Sequence, residues 1–242
     1  MYISRIPLNT ARYEGRRLVT SPYRLHGAVE ASFAPGVVRH DEHGRILWRI
    51  DVNNRGTEVW LYVVSPAQPD FSHIIEQAGW SNGGEQQTKD YERLLSRIAR
   101  GQKWQFRLRA NTVRSAFTDK GGEGHKDPAI DLAHQNGPRG KLKGDVTADQ
   151  QLSWLLERSN KNGFTVLPTH DDPSEPDCLV SQRRTERFSR HGDRYHPVTL
   201  QTCQFDGALE VTDVDLFTHV LRFGIGRGRG FGCGLLTIAP LQ

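Results

Sequence analysis

Tyr23 and His26 are the side chains of this sequence best placed to move protons. They stand three residues apart, directly after the helix-start signal Thr20-Ser21-Pro22. Residues three apart on a helix share a face. A free imidazole titrates near ~6.5 and so exchanges a proton close to neutrality. A phenol titrates near ~10, which suits it to orient a hydroxyl better than to deprotonate one. Such a pair can carry the protons of RNA self-cleavage, in which a 2′-OH attacks the adjacent phosphate. Taken alone, the pair reads more simply as an exposed tyrosine and a capping histidine.

Other chemistries find less support. His40-Asp41-Glu42-His43 has a possible ligand spacing, but it runs into Gly44 and reads as a solvated loop. There is no His-Glu-x-x-His and no Gly-x-Ser-x-Gly. Cys178, Cys203 and Cys233 are odd in number and far apart. They make neither a disulfide scaffold nor a Cys-x-x-Cys zinc site. No metal and no cofactor is expected. From Gly224 to Gly234 a glycine stands at every second position, with Arg227 and Arg229 between them. This is neither a phosphate loop of the Walker type nor a dinucleotide fingerprint, because no helix follows it. It offers backbone that a ligand can approach closely. Its Arg229-Gly230-Phe231-Gly232 run copies four residues of an RNA-recognition signature, without the apolar continuation.

The chain has 242 residues with a net charge of +4, from 25 Arg and seven Lys against 28 acidic residues. Residues 1–100 and 101–242 carry equal excesses of positive charge, so an anion-binding surface must come from local clusters. Arg183, Arg184, Arg187, Arg190 and Arg194 fall within twelve residues whose acids are Glu186 and Asp193. Arg227 and Arg229 lie close to Arg222, and Lys141 and Lys143 sit in a Gly-rich stretch. Arginine suits phosphate because its planar fork donates two hydrogen bonds at once. A solvated arginine-rich face explains the same clusters.

These residues need elements to hold them. Tyr2–Leu8 reads as a strand and residues 11–18 as a helix. A second helix starts at Ser21-Pro22, carries Leu25, Ala28, Val29 and Phe33 at helical spacing, and stops at Pro35-Gly36. Residues 45–52 and 58–65 form a hairpin through Asn53-Asn54-Arg55-Gly56. Short helices follow near 71–78 and 91–99. The pattern restarts with a strictly alternating strand at 103–110. A long loop then covers 118–147. A helix at 148–158, a strand pair at 178–190 and 195–211, a helix at 213–223 capped by Asp213, and a terminal strand at 235–239 complete the chain. The reading is α+β, with two tandem ferredoxin-like (βαββαβ) domains, 1–100 and 101–242. Hydrophobic residues make up 36%, too many for a disordered chain. No apolar run approaches the ~20 residues of a membrane helix. The N-terminus lacks the pattern of a secretory signal. A cytoplasmic protein is expected.

With these pieces in order, the sequence resembles the CasE family, the CRISPR repeat-processing endoribonucleases of type I-E systems. The resemblance covers nearly the whole chain. It rests on Met1-Tyr2-Ile3-Ser4-Arg5 opening into the first strand, on Ser21-Pro22-Tyr23-Arg24-Leu25-His26, and on Phe106-Arg107-Leu108-Arg109-Ala110-Asn111. It rests also on Trp154-Leu155 and on the terminal Gly224–Pro240 stretch. It implies metal-independent cleavage of CRISPR precursor RNA at the base of the repeat stem-loop. It implies a retained guide RNA and membership of the Cascade complex, so the partners expected are repeat RNA and other Cascade subunits, with no membrane. Tyr23 and His26 match the family's active-site pair; which of them is base and which acid stays open. The segment from Arg183 to Arg194, with Arg183, Arg184, Arg187 and Arg190, matches a region that grips the RNA stem. Arg24, Lys141, Lys143, Arg227 and Arg229 complete the candidate RNA contacts. Gly27 and Ala31 stand where some members carry basic residues, and the loop at 121–140 is longer than usual. The alternatives are a non-catalytic RNA-binding subunit of a ribonucleoprotein complex, or a metabolic enzyme holding a phosphate-bearing ligand on the Gly-rich loop.

Overall fold

A computed structural model describes residues 1–37, 40–53, 56, 58–80, 86–116, 141–189 and 197–241. The first half runs β1 (Tyr2–Leu8), α1 (Tyr13–Thr20), α2 (Pro22–Glu30), β2 (Leu47–Val52), β3 (Val59–Ser65), α3 (Ser72–Ala78), β4 (Gln87–Asp90) and α4 (Glu92–Leu95). Its strands form one antiparallel sheet in the order β2-β3-β1-β4. The second half runs β5 (Lys103–Asn111), β6 (Val113–Ala116), β7 (Lys141–Gly144), α5 (Ala148–Ser159), β8 (Phe164–Val166), β9 (Cys178–Phe188), β10 (Val198–Val211), α6 (Val214–Phe223) and β11 (Leu236–Pro240). Its main sheet has the order β11-β5-β10-β8, with β9 also paired to β10. With the sheet strands of each half numbered along the chain, both orders put the first and third strands side by side and the fourth beside the first. This is the ferredoxin-like arrangement, used twice.

Local signals explain the elements near the site. Ser21 caps α2, its hydroxyl accepting a hydrogen bond from the Arg24 N–H at 3.3 Å, and Pro22 opens the helix. Thr147 and Gln150 form a reciprocal capping box at the start of α5. Asp213 caps α6 through the Leu216 N–H at 2.9 Å. Four strands differ from the sequence reading, among them β6, which lies between the strand read at 103–110 and the loop read at 118–147. β4 lies in a polar stretch with no apolar alternation, and is a strand because it pairs with β1. β7 falls inside the region read as a long loop and pairs with β6. β8 has only three residues, and β10 defines it. β8 and β9 occupy the same edge of β10, so they act as one strand interrupted at 167–177.

Alternation along β2 joins the halves. Leu47 belongs to a core shared with the second half, which also holds Val64, Tyr91, Leu95, Phe106, Leu108, Phe205 and Phe217. Trp48, on the opposite face, belongs to the first-half core with Leu25, Val29, Leu61 and Phe71. Arg49 then points back to the seam and is 1% exposed. All five of its N–H groups are used. They go to Asp51 Oδ1 (2.6 Å) and Oδ2 (2.9 Å), the carbonyls of Arg107 (2.8 Å) and Leu235 (3.0 Å), and Thr237 Oγ1 (2.8 Å). One side chain on β2 thus ties the first sheet to β5 and β11 of the second.

Candidate active site

Tyr23, His26 and Glu30 lie at positions i, i+3 and i+7 of α2 and form a stripe along one face. Leu25 and Val29 fill the opposite side and anchor the helix in the first-half core. Tyr23 is half-exposed and Arg24 exposed. His26 keeps 36% of its side chain exposed, with Nδ1 at 3.8 Å from Glu30 Oε1. That carboxylate sits one turn along, where it can orient the ring.

The Gly-rich loop meets this helix from the second half. Gly224 ends α6, its N–H donating to the Val220 carbonyl at 2.7 Å. The loop closes on itself through Ile225 N–H to the Gly234 carbonyl (2.9 Å), and Gly234 N–H ties it to the Arg109 carbonyl of β5 (2.7 Å). A short 3₁₀ turn, Arg229–Phe231, then packs against α2 and β2. Gly232 has φ +76°, and a Cβ there would lie 2.5 Å from the Trp48 ring. Only glycine allows this approach. Phe231 presents its ring edge-on to His26 at 6.1 Å between centroids, and meets Phe188 of β9 at 5.0 Å. A run of three rings therefore connects the candidate proton shuttle to the end of the arginine-rich strand.

Two concavities flank these rings. A cavity of about 230 Å³ is lined by His26, Glu30, His40, Arg45, Trp48 and Gly230, among others. A larger cleft of about 980 Å³ runs between α1–α2 and β9. Leu18, Pro22 and Ile50 line one wall; Arg184, Arg187 and Phe188 line the other. Arg109 lies at its base, paired with Glu186. Arg183, Arg184 and Arg187 are exposed on β9, and Arg183 also donates to the Val146 carbonyl at 2.7 Å. β9 bulges opposite Thr202–Gln204, where Gln182 takes φ +46°. The extra residue there places neighbouring arginines in new directions. Arg227 is exposed beside Asn111, and Arg229 is half-buried. Lys141 and Lys143 stand on β7, in register with Ala116 and Arg114. Arg190 and Arg194 lie outside the described residues.

Sequence reasoning missed Arg45 and Glu30, and read His40 as part of a solvated loop and Phe231 as part of an RNA-recognition run without placing either beside His26. Glu30 carries a legible signal, four residues after His26 on one helix. Arg45 carries none, because only folding brings the lead-in to β2 beside α2. Burial lowers the pKa of the Arg45 guanidinium and Glu30 opposes that shift. Burial also lowers that of Arg229, and the charge of Arg45 adds to the effect. The two guanidiniums are thus near enough to feel each other. Among the described residues, no three His, Cys, Asp or Glu side chains gather in a metal-binding group. The His40–His43 stretch is a tight turn, with Asp41 Oδ1 accepting from the N–H groups of His43 (2.8 Å) and Gly44 (3.0 Å). No helix among the described residues is long and apolar enough to cross a membrane.

Sheet order, the loop between the halves and the histidine at their junction define an α+β protein of the tandem ferredoxin-like class. The family model described as CRISPR associated protein matches residues 1–240. The chain is 30% identical over 246 residues to the CRISPR-associated endoribonuclease Cse3 of Thermus thermophilus, covering 99% of this chain and 100% of that one. It is 24% identical over 140 residues to the CRISPR system Cascade subunit CasE of Escherichia coli, covering 56% of this chain and 57% of that one. A solved structure of CRISPR endoribonuclease Cse3 bound to a 19-nucleotide RNA matches with a TM-score of 0.74 at 24% identity, covering 99% of this chain and 100% of that chain. The chain belongs to the CRISPR-associated protein family, in its CasE type I-E group.

Proposed function

We propose that this chain is an endoribonuclease that cleaves CRISPR precursor RNA within each repeat, at the base of the stem-loop. The observation that carries the reading is His26 at the junction of the halves, on a helix of one and against a loop of the other. RNA brings its own nucleophile, so the protein has only to align the 2′-OH, move two protons and stabilise phosphate charge. His26 protonates the leaving 5′-oxygen. Tyr23, one turn earlier, orients the 2′-OH. No step calls for a metal or a cofactor. The products are a 2′,3′-cyclic phosphate and a 5′-hydroxyl.

Arg183, Arg184 and Arg187 grip the stem from β9, together with Arg190 two residues beyond its end. Arg24, Lys141, Lys143, Arg227 and Arg229 add phosphate contacts around the site. Duplex RNA hides its base edges in a narrow major groove, so these contacts read backbone and stem shape. A stem held this way survives the cut. The guide RNA therefore stays bound, and the chain serves as a subunit of Cascade in the cytoplasm. Residues 1–100 form the domain that carries the active-site helix, and residues 101–242 the domain that carries the arginine strand and the Gly-rich loop.

Cleavage of the repeat from the same genome, in EDTA, tests the reading. A cyclic-phosphate product is expected, and one 2′-deoxy substitution before the scissile phosphate blocks it without abolishing binding. A requirement for Mg²⁺, or cleavage of the deoxy substrate, overturns the mechanism. A gel shift with no product identifies a non-catalytic RNA-binding subunit instead.

A further inference from the structure

We propose that Arg45, seconded by Arg229, forms a phosphate subsite against His26 and holds the non-bridging oxygens of the scissile phosphate. The assignment to the scissile group rests on the endoribonuclease reading; the anion site itself does not.

The cavity beside His26 encloses about 230 Å³. A water occupies ~30 Å³ of liquid, so a phosphate fits with room for its ester oxygens. Arg45 lines this cavity together with His26 and Gly230. Its Nε is enclosed and has no hydrogen-bond partner among the described residues, and the same holds for the Nε of Arg229, the residue before Gly230. An enclosed guanidinium donor left unpaired is unfavourable, and proteins seldom leave one so. This chain can satisfy a guanidinium completely, as it does at Arg49 four residues later. Arg45 is matched less completely and lines the cavity, where a bound acceptor can complete its guanidinium, with Arg229 adjoining through Gly230.

Charge points the same way. Arg45 and Arg229 are partly desolvated and feel each other's charge. Glu30 supplies the carboxylate that faces Arg45 and His26. Two guanidiniums and a protonatable imidazole outweigh it, so an anion relieves the site. A guanidinium fork matches two oxygens of a phosphate. Donors fixed beside the proton shuttle act where charge develops as the phosphate passes through its transition state. The Arg45 main chain is tied independently of its side chain, by its N–H to the Arg222 carbonyl (3.3 Å) and a bridge to His40. Replacing the side chain leaves those ties in place.

The test uses the full chain with Arg45→Met and Arg45→Gln. The second variant keeps a polar, though shorter, side chain should the first fail to fold. In single-turnover cleavage in EDTA, removing the charge slows the reaction about 10²–10³-fold, the usual worth of one oxyanion donor. Affinity for a 2′-deoxy repeat stays within about threefold, as for an interaction made in the transition state. Sulfur in place of one non-bridging oxygen slows the wild type in one stereoisomer. Neither variant shows that further loss, a readout that a packing role for Arg45 does not move. Wild-type rates in a folded variant, or a full thio effect in it, overturn the proposal. A second measurement stands apart from cleavage. Inorganic phosphate titrated into RNA-free wild type shifts the His26 Cε1 proton resonance, and the variants abolish the shift. If the wild type cuts no RNA, the endoribonuclease reading falls while this titration still judges the subsite. No phosphate-dependent shift in the wild type overturns it.

Discussion

Arg45 and Arg49 stand four residues apart on the approach to and the body of β2, and they live in opposite environments. Arg49 is buried with every donor matched, across a seam between two sheets. Arg45 is half-buried, lines a cavity and keeps an enclosed donor without a partner among the described residues. A buried guanidinium loses its hydration, and geometry alone decides whether protein groups replace it. At the seam they do, and the result is a fixed relation between the halves. At the cavity they do not, and the unmet capacity is available to a ligand. Full satisfaction marks scaffold; incomplete satisfaction beside the candidate proton shuttle marks the proposed site.

Variants on the two sides should separate cleanly. The largest effect is expected at His26. His26→Ala lowers the single-turnover cleavage rate about 10²–10⁴-fold, the usual worth of a positioned acid or base. Its urea midpoint and its affinity for a 2′-deoxy repeat stay near wild type. A large loss of stability instead would move His26 to the scaffold side. Arg49→Met is the mirror experiment. It strips Asp51 of its bidentate partner and leaves two buried carbonyls without their donor, with Arg107 at 3.4 Å the remaining cation near that carboxylate. Breaking a buried pair this way costs about 3–5 kcal/mol, read from urea unfolding. A variant of unchanged stability would refute the clamp.

The arginines of β9 test a third condition, in which donors face open solvent. Changing Arg183 and Arg187 together to Ala should leave stability unchanged and weaken repeat binding. The slope of log affinity against log salt should flatten by about two, for two lost phosphate contacts. An unchanged slope would remove this surface from the RNA interface. The smallest effect concerns the cysteines. Burial, foremost, pushes the Cys178 and Cys203 thiols up to about 12 and Cys233 up to about 11. A free thiol titrates near ~8.5, so the folded state resists thiolate formation above that pH. The stability this adds is complete below that pH and is lost as pH rises toward the folded values. Alkylation of the native protein at pH 8 should be slow for all three and fast after unfolding. Rapid native labelling would show that one of them is accessible.

The elements nearest the chemistry were legible in the chain itself. Ser21-Pro22 announced α2, and the three-residue step from Tyr23 to His26 placed both on one face, because capping and helical periodicity are local. The strict alternation of Lys103–Ala110 announced β5 for the same reason. The terminal glycines announced a close approach, and Gly232 against Trp48 makes one, although nothing nearby in the chain names that partner. The short strands β4, β6, β7 and β8 were invisible, since a three- or four-residue strand exists through the neighbour it pairs with. Arg49 looked like one more polar residue in a strand, and Arg45 like the first residue of that same strand. What the sequence by itself determined is therefore the helices, the long strands and the stripe bearing Tyr23, His26 and Glu30, all set by interactions within a few residues. Only the tertiary structure decided which arginine is walled in by matching acceptors and which is left facing a cavity, because those acceptors come from residues as far away as Arg107, Leu235 and Thr237.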